Sequence, residues 1–410
     1  MRNSYPLRYF YGILFLLFPA VTLAQLSDTI YWKASLLRKD GKSIDFIMQA
    51  VRHHQHTVYA IVNGDERITL SEVEHVCDSL VLTLPFYNSE LRIVESDDEL
   101  KGEWIRDLGT HYFRMPLRAT KNKHRFAVSR PPSHNISGRW ATVFEKPANR
   151  KVQAVGEFMQ SNDRLTGTFI LPSGDYRYLE GAVSGDTLSL STFDGNHAFL
   201  FEAIIDNDST IRDGRFYSGN AVVESWFARR NEKVAPDNRS VTQMREGESR
   251  LDFSFKSTSG QQVSINDPVY RGKVVLVQIM GSWCPNCMDE TRFLSDYYSK
   301  NRNSGFEVIA LAYERTADFQ TSVKALSRFQ QQFNIQYPIL ITGVTVSDSL
   351  KTQKTLPQLT EIRHFPTLIY IDKKGIVRNI QTGFRGPGSG IHHQQFIEAF
   401  ESSLQQLLAE

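Results

Sequence analysis

The chain has 410 residues, 41% hydrophobic and 22% charged, with a formal net charge of +2 at neutral pH. That length allows two to four domains, and the apolar content is enough for packed cores, which excludes wholesale disorder. The near-neutral balance gives no support for binding nucleic acid or an anionic membrane surface.

At the N-terminus, Arg2 and Arg8 precede an apolar run from Tyr9 to Ala24, followed by polar Gln25. A basic start, an apolar middle and a small-residue end are how secretory signal peptides are built, so residues 1–24 are expected to be cleaved after Ala24. The run is short for a membrane span, which takes ~20 apolar residues; an uncleaved anchor is the alternative. No Cys follows the run, so a lipidated N-terminus is not supported. Arg2 and Arg8 are the only charged side chains before Gln25, so the cleaved chain is close to neutral.

Short strands and turns are expected next, to about Arg230. Alternation is clear at Leu80, Leu82 and Leu84 and at Leu188 and Leu190. Turn signals recur at Asn63-Gly64-Asp65, Ser173-Gly174-Asp175, Ser184-Gly185-Asp186 and Asp194-Gly195-Asn196. This spacing predicts an antiparallel sandwich or barrel. Four features recur at a nearly constant offset: Trp32 as Trp140, Gly64-Asp65 as Gly174-Asp175, Asp78-Ser-Leu as Asp186-Thr-Leu, and Gly102 as Gly214. A duplicated β meander explains that offset, with units at 25–132 and 133–231; a general likeness among meanders is the alternative. His54 and His56 share a strand face, but no third metal ligand is evident, so a solvated strand is expected. Cys77 stands alone near a strand start and is expected to be a small buried side chain, an intermolecular disulfide being the alternative.

Residues 232–248 are polar without period and are expected to be a linker. From 249 to 410 the pattern changes to α/β. Val274–Met280 is a run of a buried strand, and Glu307–Tyr313 and Thr367–Ile371 are further strands. Phe319, Val323, Leu326, Phe329 and Phe333 share one helical face. Asp372-Lys-Lys-Gly375 turns into Ile376–Ile380, and His393–Leu408 closes the chain as an amphipathic helix. Strands alternating with helices and ending in a hairpin predict a mixed central sheet flanked by helices. Gly386-Pro-Gly-Ser-Gly390 is expected to be a flexible connector before the last helix, a loop near the site being the alternative.

The chemistry lies in Trp283-Cys284-Pro285-Asn286-Cys287, which follows the buried strand and opens a helix. Unpaired backbone N–H groups and the positive helix end favour a thiolate at Cys284, and the thiolate is the nucleophile. Cys287, one turn on, is placed to resolve a mixed disulfide. Pro285 is tolerated in the first turn. A zinc site would need a second ligand pair, haem attachment would need His where Met288 stands, and a structural disulfide over so short a loop would stabilise little. Redox exchange without cofactor or metal is the expectation.

Residues 249–410 resemble the thioredoxin superfamily, and within it the TlpA/ResA-like extracytoplasmic thiol–disulfide oxidoreductases. The resemblance lies in Trp283-Cys-Pro-Asn-Cys287, Glu290, His364-Phe-Pro-Thr367 and Asp372-Lys-Lys-Gly375, with Asp252-Phe-Ser-Phe and Gly272-Lys-Val-Val-Leu-Val before them. It implies that Cys284 is the nucleophile and Cys287 the resolving thiol. Phe365-Pro366 would be a cis-proline element that leaves the Phe365 backbone free to pair with substrate. Glu290 would raise the thiol pKa values and carry a proton; a solvated helix glutamate is the alternative. Many thioredoxins have a buried Asp where this chain has Gln278, which carries no proton. Trp283 would cover one side of the sulfur pair.

The leading expectation is thus a periplasmic disulfide reductase acting on protein disulfides, fed by a membrane-linked electron donor and serving cytochrome c maturation or disulfide repair. A thiol peroxidase is a second reading, against which stands the lack of a Thr-x-x-Cys setting. A β-rich binding or assembly protein with an auxiliary redox domain is a third.

Overall fold

The computed structural model describes residues 28–52, 56–70, 72–85, 87–108, 111–237 and 242–410. The expected signal segment, His53 and His54 lie outside the described residues. Three bodies follow one another: two antiparallel β rings and a mixed α/β domain.

The first ring runs from Asp28 to Lys121. Its first strand, Asp28–Leu37, pairs with its successor Ser43–Arg52 and also with the last strand, Tyr112–Lys121. Among the described residues the ring stays open between Glu66–Thr69 and Glu72–Val76. The second ring closes. Gly138–Lys146 pairs with Arg150–Ser161 on one side and Val222–Arg230 on the other, and Arg150–Ser161 pairs on with Arg164–Leu171. A two-residue strand, Gly174–Asp175, branches off Arg164–Leu171.

Strand alternation puts one side chain in two inside each ring. Trp32, Ala34 and Leu36 are buried while Lys33 and Ser35 are not; Trp140, Thr142 and Phe144 repeat this in the second ring. Phe144 packs edge-on to Phe169 and Phe216, with ring centroids 5.2 and 6.0 Å away. Burying each such ring stabilises by roughly 1.5–3 kcal/mol. Three of the four recurrent motifs fall at the same rank in both rings; Gly64-Asp65 is a turn, whereas Gly174-Asp175 forms a strand. Trp32 and Trp140 lie on the first strand, and Asp78 and Asp186 precede the sixth. Gly102 and Gly214 lie on the eighth, each against neighbouring backbone that leaves no room for a Cβ. The rings share an apolar contact in which Phe193 of the second packs on Phe46 and Trp104 of the first, with centroids 4.5 and 5.0 Å apart.

In the C-terminal domain the sheet order is Gln262–Ser264, Ser254–Ser257, Ile339–Ile341, Phe306–Ala312, Val274–Met280, Thr367–Ile371, Val377–Thr382. The three middle strands from Ile339 to Met280 are parallel, and Thr367–Ile371 runs against them. Four helices complete it: α1 (Pro285–Asn301), α2 (Phe319–Gln332), α3 (Lys351–Thr355) and α4 (Ile391–Ala409). Val274, Leu276 and Met280 face Leu294 of α1, Leu326 of α2 and Phe400 of α4. Val275, Val277 and Ile279 face Leu356 and Leu359 on the other side.

Four expectations are corrected. Cys77 is exposed, not buried; it sits in a tight turn at φ 57°, which points its side chain to solvent. The linker is not free from Thr242 onward, because Met244 bridges Leu359 and the Arg245 amide donates to the Gln358 carbonyl at 2.8 Å. The Gly386–Gly390 segment is no loose connector: its middle forms a 3-10 turn packed against the second ring. His56 is exposed, between Ser43–Arg52 and Thr57–Asn63, rather than on a strand.

Candidate active site

Cys284 is the N-cap of α1. Its backbone is extended (φ −105°, ψ 113°), and its Sγ accepts a hydrogen bond from the Cys287 amide at 3.3 Å. The Cys284 sulfur therefore takes the place of the oxygen that usually satisfies a free N–H at a helix start. Pro285 follows at the first helical position, where it has no N–H to leave unpaired. Both cysteines are free thiols. Cys284 is 6% exposed and Cys287 is fully enclosed, so only Cys284 can be met from outside. Burial pushes the Cys287 thiol well up, with the adjacent Cys284 adding to the effect.

Two neighbours frame the sulfur. The Phe365–Pro366 peptide is cis, and the Phe365 carbonyl accepts from Cys284 Sγ at 3.6 Å. Trp283 lies edge-on to Phe365 at 5.5 Å, and its indole N–H donates to the Tyr313 carbonyl at 2.8 Å. The loop before Cys284 is held by Glu314, which accepts from the Ser282 amide (2.9 Å) and hydroxyl (2.8 Å).

Glu290 is 1% exposed, which removes the solvated alternative. It lies one turn after Cys287, on the face of α1 turned to the sheet. Gln278 Nε2 donates to its Oε2 at 2.9 Å, while its Oε1 has no hydrogen-bond partner among the described residues. Burial pushes the carboxyl up to about 8, against the stabilising Gln278 contact. Gln278 thus occupies the position of a missing acid and orients the acid that is present; Thr291 completes the set, exchanging hydrogen bonds with the Gln278 amide at 3.1 and 3.2 Å.

The β rings cover this site, which the sequence did not reveal. Arg177 of the second ring grips Asp289 of α1 in a fork, Nε to Oδ2 at 2.8 Å and Nη2 to Oδ1 at 3.1 Å. The same guanidinium reaches Glu66 of the first ring at 2.5 Å and Asp194 at 3.5 Å. Asn286, between the two cysteines, donates to the Asp175 carbonyl at 3.2 Å, and the Asp175 carboxylate accepts from the Gly386 amide at 2.7 Å. Gly174 approaches so closely that a Cβ there would lie 2.0 Å from Asn286 Nδ2. From the first ring, the buried Tyr87 hydroxyl meets Met288 Sδ at 3.7 Å. Farther along, His392 pairs with Glu157 at 2.9 Å and Arg385 donates to the Leu171 carbonyl at 2.8 Å. The only sequence signal was Ser173-Gly174-Asp175, which has the composition of an ordinary turn. What remains open is a cleft of about 880 Å³ between the second ring and the C-terminal domain, with Cys284, Trp283 and Phe365 in its wall.

Residues 245–392 match the Redoxin family model. They are a redoxin domain of the thioredoxin superfamily. Among curated proteins, the chain is 28% identical over 131 residues to the thiol-disulfide oxidoreductase ResA of Bacillus thuringiensis subsp. konkukian. That alignment covers 32% of this chain and 66% of the relative, just under two thirds of its length. It is 26% identical over 140 residues to the thioredoxin-like protein YneN of Bacillus subtilis, covering 34% of this chain and 73% of that one. Among solved structures, a thioredoxin-family thiol:disulfide interchange protein from Chlorobium tepidum is 18% identical with a TM-score of 0.29, covering 39% of this chain and 95% of that one. The redoxin match begins beyond the β rings, so Arg177, Asp175 and Tyr87 fall outside it.

Proposed function

We propose that the protein is an exported thiol–disulfide oxidoreductase that reduces disulfides of protein substrates through Cys284 and Cys287. The observation that carries this is a cysteine sulfur capping α1, 3.6 Å from the carbonyl before a cis-proline, at the wall of an open cleft. The Cys284 thiolate attacks one substrate sulfur. A Cys284–substrate bond forms, and the other substrate sulfur leaves with the bonding pair and takes up a proton. Cys287 then gives up its proton and attacks Cys284. The Cys284–Cys287 bond forms as the substrate departs, reduced by two electrons. Glu290 has an oxygen without a hydrogen-bond partner among the described residues, is raised to about 8 by burial, and carries a charge that acts on Cys287; in its ionised form it can accept that proton. An external dithiol, fed from across the membrane, would restore the pair. Among the described residues no helix is long and apolar enough to cross a membrane.

The test is Cys287→Ser in the full chain. Substrates should accumulate as mixed disulfides on Cys284, releasable by dithiothreitol and absent from the Cys284→Ser control. No adduct on folded protein in a periplasmic extract would sink the proposal. The equilibrium potential of the pair decides direction: a strongly reducing value supports reduction, and a high one oxidation or isomerisation.

A further inference from the structure

We infer that the cleft over Cys284 selects disulfides carried on extended, acidic segments of polypeptide. This rests on the exchange activity proposed above and names its substrate class. Two sides of the cleft are basic. From the second ring comes the hairpin end with Arg150 and Lys151; from the redoxin domain come Lys351 at the start of α3 and Arg363 beside the cis-proline loop. Arg150 makes no ion pair among the described residues and lies close enough to act on His364, the residue before Phe365. Lys151 meets Glu145 only at 3.6 Å, Arg363 pairs with the adjacent Glu361, and Lys351 donates only to the Asp348 carbonyl at 3.4 Å. Such exposed contacts hold their charges weakly and leave them available to a ligand.

The acids on the same lining are otherwise engaged. Asp175 accepts from the Arg177 and Gly386 amides, and Asp194 accepts from the Asn196 and His197 amides while facing Arg177. Asp237, the remaining acid, acts on Arg385. The field at the mouth is therefore positive, and a low-dielectric cleft focuses it. Size sets the second requirement. About 880 Å³ is the volume of a small-ligand pocket, enough for a few residues and too little for a folded domain. With Cys284 only 6% exposed, a disulfide on a folded surface cannot touch it. An extended strand can, pairing with the Phe365 backbone as it enters.

The test uses the full chain, dithiothreitol as electron donor, and two peptides of equal length that each hold one internal disulfide, flanked by Asp and Glu or by Lys. The neutral bis(2-hydroxyethyl) disulfide is measured beside them. At low salt the acidic peptide should be reduced roughly 10-fold faster in kcat/KM, and the advantage should shrink at high salt. Arg150→Glu with Lys351→Glu should bring the acidic-to-basic ratio to one or below. Lys151→Glu with Arg363→Glu is a second, independent pair should the first unfold. A ratio near one for the unaltered chain, or a ratio that neither pair moves, overturns the inference while turnover of the neutral disulfide leaves the exchange activity standing. If none of the three disulfides is reduced, the exchange activity falls and the inference with it.

Discussion

Glu290 shows how one buried side chain can tie stability to pH. Its carboxyl is raised from an ordinary 4.5 to about 8 by burial. Between those values the folded group keeps its proton while the unfolded group has lost it. The native state therefore binds more protons, and stability falls as pH rises through this window. Above pH 8 the penalty approaches roughly 5 kcal/mol. Glu290→Gln should flatten this slope: its urea midpoint should exceed that of the parent most at pH 8–9 and least near pH 5. If the two proteins show parallel pH profiles, Glu290 does not titrate as described. The same variant should slow turnover if Glu290 takes the Cys287 proton. The positions of Cys284, Cys287 and Pro366 were legible because each belongs to a local motif whose neighbours define it. The burial of Glu290 was not legible, because it depends on Gln278, a residue 12 positions earlier on the strand that α1 packs against.

At the scale of elements, the two-residue strand Gly174–Asp175 matters most. It reaches from the second ring to the turn between the cysteines, and its glycine has φ +138°, a conformation that suits no other residue. Gly174→Ala should both strain this backbone and press on Asn286. A loss of about 1–3 kcal/mol in denaturant stability is expected, with slower disulfide exchange. Asn286→Ala in the same chain should recover part of the exchange rate but little of the stability, because it relieves the contact and not the backbone. Equal recovery of both would show that the dihedral strain is absent. Most strands could be read from alternation, as at Leu80, Leu82 and Leu84. This strand could not: Ser173-Gly174-Asp175 has the same composition as the hairpin turns at Gly64 and Gly185. What separates them is a contact 112 residues away in sequence, made by Arg177 to Asp289.

One guanidinium touches all three bodies. Arg177 touches Glu66, Asp194 and Asp289, so a single side chain holds both rings and the redoxin domain. Arg177→Met would take the shared cation away from three largely buried carboxylates, a loss of roughly 3–5 kcal/mol. The expected readout is a denaturation curve that splits, with the rings loosening from the redoxin domain first, and faster alkylation of Cys284. A single transition at an unchanged midpoint would show that the clamp is dispensable. Sequence alone suggested two β units and an α/β domain, because each is built from local periodicity. It did not place them, because the joining charges are single residues without a period.

The cover also has a place in time. The chain is made from its N-terminus, and domains fold largely as units in that order. Residues 28–230, which supply Glu66, Tyr87, Asp175 and Arg177, exist before Cys284 has been synthesised. The rings can therefore fold first, and the redoxin domain condenses against a surface already formed. The new thiol emerges beside its own shield, and unwanted partners have the shortest interval in which to reach it.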